Sequence, residues 1–190
     1  SQENIELMRY CVETKHASHI SLLINTNATI YTDEILSLLK QFKQVYLNFS
    51  IDDIGERFEY QRSGAKWDEV LANLKKYITC GGFTGSEQLQ LKICCSVTAM
   101  NIYYFPEYFQ FINEHFPGLP VFWNLVFSPA ELSMQIFPKA VKERIAHRLK
   151  TKVNATYAFE ELRTRTVENL VSYLYGDNGL SFDSFFSYME

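Results

Sequence analysis

The chain has 190 residues, 47% of them apolar and 21% charged, a composition that permits a sizeable core. Its formal charge of −4 argues against a dominant nucleic-acid surface, which is normally basic. No apolar run approaches the roughly 20 residues that span a bilayer, and no basic segment followed by an apolar one opens the chain.

Ile5, Met8 and Val12 recur at helical spacing and predict a helix over residues 3–14. A mostly apolar strand follows, His19 to Asn25, ending in Thr26-Asn27-Ala28-Thr29. Thr32 suits the N-cap of the next helix, with Asp33 and Glu34 at its positive end and Ile35, Leu38, Leu39 and Phe42 as its buried stripe. Val45, Leu47 and Phe49 alternate with Tyr46 and Asn48, which reads as a second strand. That strand stops at Ser50-Ile51-Asp52-Asp53, and a long polar loop carrying Glu56, Arg57, Glu59 and Arg62 leads to a turn at Gly64.

A helix over residues 67–78 buries Val70, Leu71, Leu74 and Ile78 and stops at Gly81-Gly82. A third strand spans residues 89–97, and Pro106 opens a helix to His115 after the loop 98–105. A fourth strand occupies Val121 to Phe127. Strands alternating with helices predict an α/β fold with a parallel sheet of about four strands. The near-continuous apolar runs at Leu22 to Ile24 and Val121 to Phe127 suggest strands covered on both faces. From Pro138 the chain turns helical: a basic amphipathic helix to Lys150, a second helix over residues 155–175, a turn at 176–179 and the aromatic-rich end FDSFFSYME. The expected organisation is an α/β portion over residues 1–132 with a helical extension over 133–190.

The cysteines, Cys11, Cys80, Cys94 and Cys95, form no C-x-x-C, and Cys94 and Cys95 would face opposite sides of a strand. Free thiols fit a reducing, cytoplasmic setting. The four histidines show no metal-ligand spacing. Gly81 to Ser86 looks like a phosphate loop but sits between a helix and a strand, the reverse of the phosphate-binding order, and reads as a turn. The basic helix around Lys139, Lys142, Arg144, Arg148 and Lys150 reads as a solvated face rather than a nucleic-acid patch.

In a parallel sheet all strand C-terminal ends lie at one rim, and polar residues fall there repeatedly: Thr26-Asn27, Ser50-Ile51-Asp52 with Arg62 downstream, Thr98 with Asn101, and Ser128. Each alone reads as turn chemistry, but recurrence at four ends points to a site. Asp52 and Asp53 are adjacent, so at least one is expected to serve a turn or cap rather than an acid–base pair.

This series resembles the radical S-adenosylmethionine (SAM) enzymes, in particular the group with a twitch or SPASM-like C-terminal extension. The resemblance rests on N-T-N-A-T (Asn25 to Thr29), S-I-D-D (Ser50 to Asp53) and V-T-A-M-N (Val97 to Asn101), with F-E-Y-Q-R-S-G-A-K-W-D (Phe58 to Asp68) the most specific part. It covers about residues 19–138 and corresponds to the later strands of that family's partial barrel. It implies a four-iron, four-sulfur cluster that cleaves SAM reductively, giving a 5′-deoxyadenosyl radical that abstracts a substrate hydrogen atom.

By the same resemblance Ser50 would meet the SAM ribose or aminoacyl part, and Arg62 would hold its carboxylate with a bidentate fork. Leu125 and Val126, through to Phe127, would lie near the adenine, while Asn27, Asp52 and Asn101 would face SAM or substrate. Two departures stand out. Asp53 occupies the place of a usual glycine and must accept that glycine's backbone geometry. The C-x-x-x-C-x-x-C and G-G-E-P segments are absent from this sequence, so cluster ligands are expected upstream in a longer protein.

The expectation is therefore the C-terminal portion of a radical SAM enzyme, inactive by itself, with a peptide or small molecule as substrate and a reductant as partner. No catalytic residue is assigned. The alternative is a non-enzymatic α/β binding module or scaffold, and an exposed sheet edge would favour self-association.

Overall fold

A computed structural model describes residues 2–80, 87–153 and 160–189. Four strands, β1 (Ser21–Thr26), β2 (Gln44–Ser50), β3 (Leu89–Val97) and β4 (Val121–Leu125), form one parallel sheet in the order β1-β2-β3-β4. Eight helices lie in the described residues: α1 (Gln2–Glu13), α2 (Asp33–Leu39), α3 (Gly55–Gln61), α4 (Trp67–Cys80), α5 (Phe105–His115), α6 (Lys139–Lys152), α7 (Glu160–Leu174) and α8 (Asp183–Met189). None is long and apolar enough to cross a membrane. The expected α/β class and parallel sheet are present. The glycine stop at Gly81-Gly82, the turn reading of Gly81 to Ser86 and the start of the helix expected from residue 155 lie outside the described residues.

The chain packs as two compact units, residues 1–94 with 120–122, and residues 95–119 with 123–190. In the first unit, alternation sorts each strand into two faces. Val45, Leu47, Phe49, Leu89, Leu91 and Ile93 are buried on one face. The helix α4 seals it: Tyr77 packs its ring 5.4 Å from that of Phe49 and donates its hydroxyl to the Ile30 carbonyl. Asn73, also on α4, donates to the Ala28 carbonyl. As expected, Thr32 caps α2, its hydroxyl accepting from the Ile35 amide at 3.1 Å.

The opposite face is open. Leu23 is 66% exposed and Phe122 53% exposed, so in this chain the apolar runs of β1 and β4 are not covered on both sides as their composition suggested. The physical reason is topological. When consecutive parallel strands are added in one direction, right-handed crossovers deliver every connection to the same face.

A second difference lies after β2. The segment expected to be a long loop contains α3. Gly55, at φ +60°, supplies a left-handed turn that few other residues adopt, and Phe58 then buries completely against Trp67, ring centroids 5.2 Å apart. Glu59 on α3 accepts from the Trp67 amide at 2.9 Å, joining the end of one helix to the start of the next. Asp53 is not among the positive-φ residues, so the glycine geometry expected there falls two positions later.

The second unit is built on rings and aliphatic side chains. Phe105, Phe109 and Trp123 meet with centroids 5.6–5.9 Å apart, and Met134, Ile136, Ile145, Leu149, Leu170 and Leu174 are buried. Tyr173 on α7 donates its hydroxyl to the Val126 carbonyl at 3.1 Å, and Gln135 donates to the Tyr173 carbonyl at 3.1 Å. These bonds dock the helical segment on the segment after β4.

Candidate functional site

The open face of the first unit carries a polar arrangement toward the C-terminal ends of its strands. In register, Asn25 of β1 lies beside Asn48 of β2, and Asn48 beside Lys92 of β3; one step further, Ser50 lies beside Cys94. Directly paired residues on parallel strands sit about 4.8 Å apart, so these side chains form two adjacent rows. Asn48 Nδ2 donates to Asn25 Oδ1 at 2.8 Å. Asn48 is only 5% exposed, and its Oδ1 is buried without a hydrogen-bond partner. A buried amide oxygen in that state costs about 1–3 kcal/mol. The Lys92 ammonium lies 5.6 Å from the centre of the Phe122 ring, held over its face by a cation–π contact.

Above these rows stands an ion pair. Arg62 donates to Asp52 Oδ2 from Nε, at 2.9 Å, and from Nη2. The pair spans ten positions in sequence, and α3 makes it possible: Arg62 follows the helix directly, its amide bonded to the Phe58 carbonyl. The Arg62 side chain is 29% exposed. One edge of its guanidinium, Nε and Nη2, is engaged by Asp52, which fixes the plane. A preoriented fork of this kind suits a carboxylate or phosphate.

The two adjacent aspartates diverge. Asp53 is fully buried, where it accepts from the Ile54 amide at 2.8 Å and from Arg57 Nε at 3.0 and 3.1 Å. Burial pushes its carboxyl above the usual value, opposed by the Arg57 and Ile54 bonds. Asp53 therefore anchors the α3 entry, as expected of at least one member of the pair. Burial also raises the Cys94 thiol; the Lys92 charge opposes that shift and the Asp52 charge adds to it. Cys95, its neighbour in β3, is buried, and alternation along a strand turns adjacent side chains to opposite faces, as expected.

The other expected site residues are placed as follows. Asn27 Oδ1 accepts from the Thr29 amide at 3.2 Å and hydroxyl at 2.8 Å, a turn built around Ala28 at φ +58°. In the second unit Asn101 is 2% exposed; its Oδ1 accepts from the Thr98 amide at 2.9 Å and its Nδ2 donates to the Ser96 carbonyl at 2.8 Å. Val126 donates its amide to the Val97 carbonyl at 3.1 Å and gives its carbonyl to Tyr173. Leu125, the last residue of β4, is half-buried. The first unit thus pairs Asp52 with Arg62, and Ser50 ends β2 two residues before Asp52, whereas the described bonds of Asn27 and Asn101 hold local backbone.

Asn25, Asn48, Lys92 and Cys94 were not chosen as site residues from the sequence. Their signal was the strict alternation of Leu89, Leu91 and Ile93 with Gln90, Lys92 and Cys94, which marks a strand with one open face. Among the described residues no group of three or more His, Cys, Asp or Glu side chains is arranged to hold a metal ion. No described residue is therefore assigned to an iron–sulfur cluster. In comparisons with known proteins the chain matches no family model, no curated protein and no solved structure.

Proposed function

We propose that this chain is the SAM-positioning portion of a radical SAM enzyme, forming the later strands of its partial barrel, with the cluster ligands carried elsewhere in the intact protein. The observation that carries the reading is the Asp52-fixed Arg62 at the C-terminal end of β2, over the open face of a sequentially ordered parallel sheet. Sequential order with one open face is the geometry of a barrel wall, whose strand ends hold the ligand. A cluster together with SAM supplies the radical that starts the reaction. The residues here bind and orient: Arg62 grips the carboxylate of the aminoacyl part, Asp52 keeps the guanidinium in plane, and Ser50 offers a hydroxyl beside them. The Lys92–Phe122 pair lies on the same open face.

The reading predicts saturable SAM binding that Arg62→Ala weakens about 10- to 100-fold, since a charge-assisted bond contributes about 1.5–3 kcal/mol. Equilibrium dialysis measures this. Lys66→Ala, an exposed charge on the same segment, serves as the control. Equal affinities in wild type and Arg62→Ala would remove Arg62 from the site.

A further inference from the structure

The second unit carries a groove of about 470 Å³ along one side of α6, with Tyr103 at its wall. Six of the chain's 18 lysines and arginines fall in the 14 residues of this helix, against the single acid Glu143, although the whole chain is net negative. Ile145, Ala146 and Leu149 form the buried stripe, so the charge stands on the remaining surface. Arg144, His147, Arg148 and Lys152 line the groove together with Glu143. They recur at the three- and four-residue spacing that puts side chains on one helix face.

Arg148 is held in advance. Its Nε donates to the Tyr103 carbonyl at 2.9 Å, its Nη2 to Glu107, and its guanidinium lies 4.7 Å from the centre of the Tyr103 ring. An arginine already fixed in this way loses little rotamer entropy when a ligand arrives. Lys152 is looser, 56% exposed and 3.8 Å from Glu107, and Arg144 is exposed. Both can swing toward a ligand. Since Glu107 and Glu143 offset part of the positive charge, a singly charged anion gains little here, whereas a doubly or triply charged one engages three cations at once. The volume falls within the roughly 300–1,000 Å³ typical of small-molecule sites.

We infer that the α6 groove binds a small ligand bearing two or more phosphate charges, gripped by Arg144, Arg148 and Lys152. The inference does not rest on the SAM reading of the first unit. Titration of the chain with pyrophosphate, and separately with ADP, at low salt is the test. Saturable binding is expected, falling with added salt and weakened about tenfold or more in Arg144→Gln/Lys152→Gln. Lys139→Gln/Lys150→Gln removes the same charge from the same helix outside the groove and is expected to leave affinity unchanged. Tighter binding of ADP than of pyrophosphate identifies a nucleotide; equal affinities identify the phosphates alone. No saturation by about 10 mM, far weaker than ordinary ligand affinities, would overturn the proposal. So would equal weakening in the two double variants, or a preference for single-stranded RNA lowered equally by both, since each makes the charge a diffuse helix property.

Discussion

Asp53 illustrates how one carboxylate can hold a backbone in place at a cost. Desolvation raises its folded-state pKa above the unfolded value, even with Arg57 and the Ile54 amide against it. A raised pKa means that the folded state holds the proton more tightly, so this stabilising contribution is full below the ordinary carboxylate range and is lost as pH rises through the folded value. Replacing it with Asn removes the titration. Denaturant midpoints of wild type and Asp53→Asn should therefore converge, or cross in favour of the variant, between about pH 4 and 7. A gap that widens in favour of wild type over that range would contradict the assignment. Asn101 makes a simpler case. Asn101→Ala strips the Thr98 amide and the Ser96 carbonyl of their partner in a buried turn, and should destabilise by about 2–3 kcal/mol in a denaturant titration.

At the scale of elements, α3 decides whether Arg62 reaches Asp52. Its entry depends on Gly55 at φ +60°, where a Cβ meets no steric obstacle nearby but the backbone conformation itself is unfavourable. Gly55→Ala should cost about 1–2 kcal/mol. Because α3 carries Arg62 at its end, the same change should loosen the ion pair and, on the proposed function, weaken SAM binding together with stability. The sequence made α4, α5 and the four strands legible, because each has an apolar stripe or alternation long enough to register. It hid α3, which buries one apolar side chain, Phe58, and is stabilised by contacts to Asp53 and Trp67 that no local pattern announces. Ser50, Asp52 and Arg62 could be selected as a group from the resemblance. Their ion pair, and the Asn25–Asn48–Lys92 row beneath it, depend on register, which only the paired strands define.

Across the molecule, the parallel sheet followed from alternating strands and helices, but the strand order did not. Open doubly wound sheets and barrel walls share that alternation and differ only in which side each new strand joins. The sequential order, with one face closed by helices and the other open, is what makes the rim of the first unit available for a ligand. We propose that this rim holds a carboxylate through Arg62. It is tested most directly by comparing SAM with decarboxylated SAM on wild type and on Arg62→Ala. Wild type should prefer SAM by about tenfold or more, and the preference should disappear in the variant. Equal binding of the two compounds by wild type, or a preference that survives in Arg62→Ala, would contradict it.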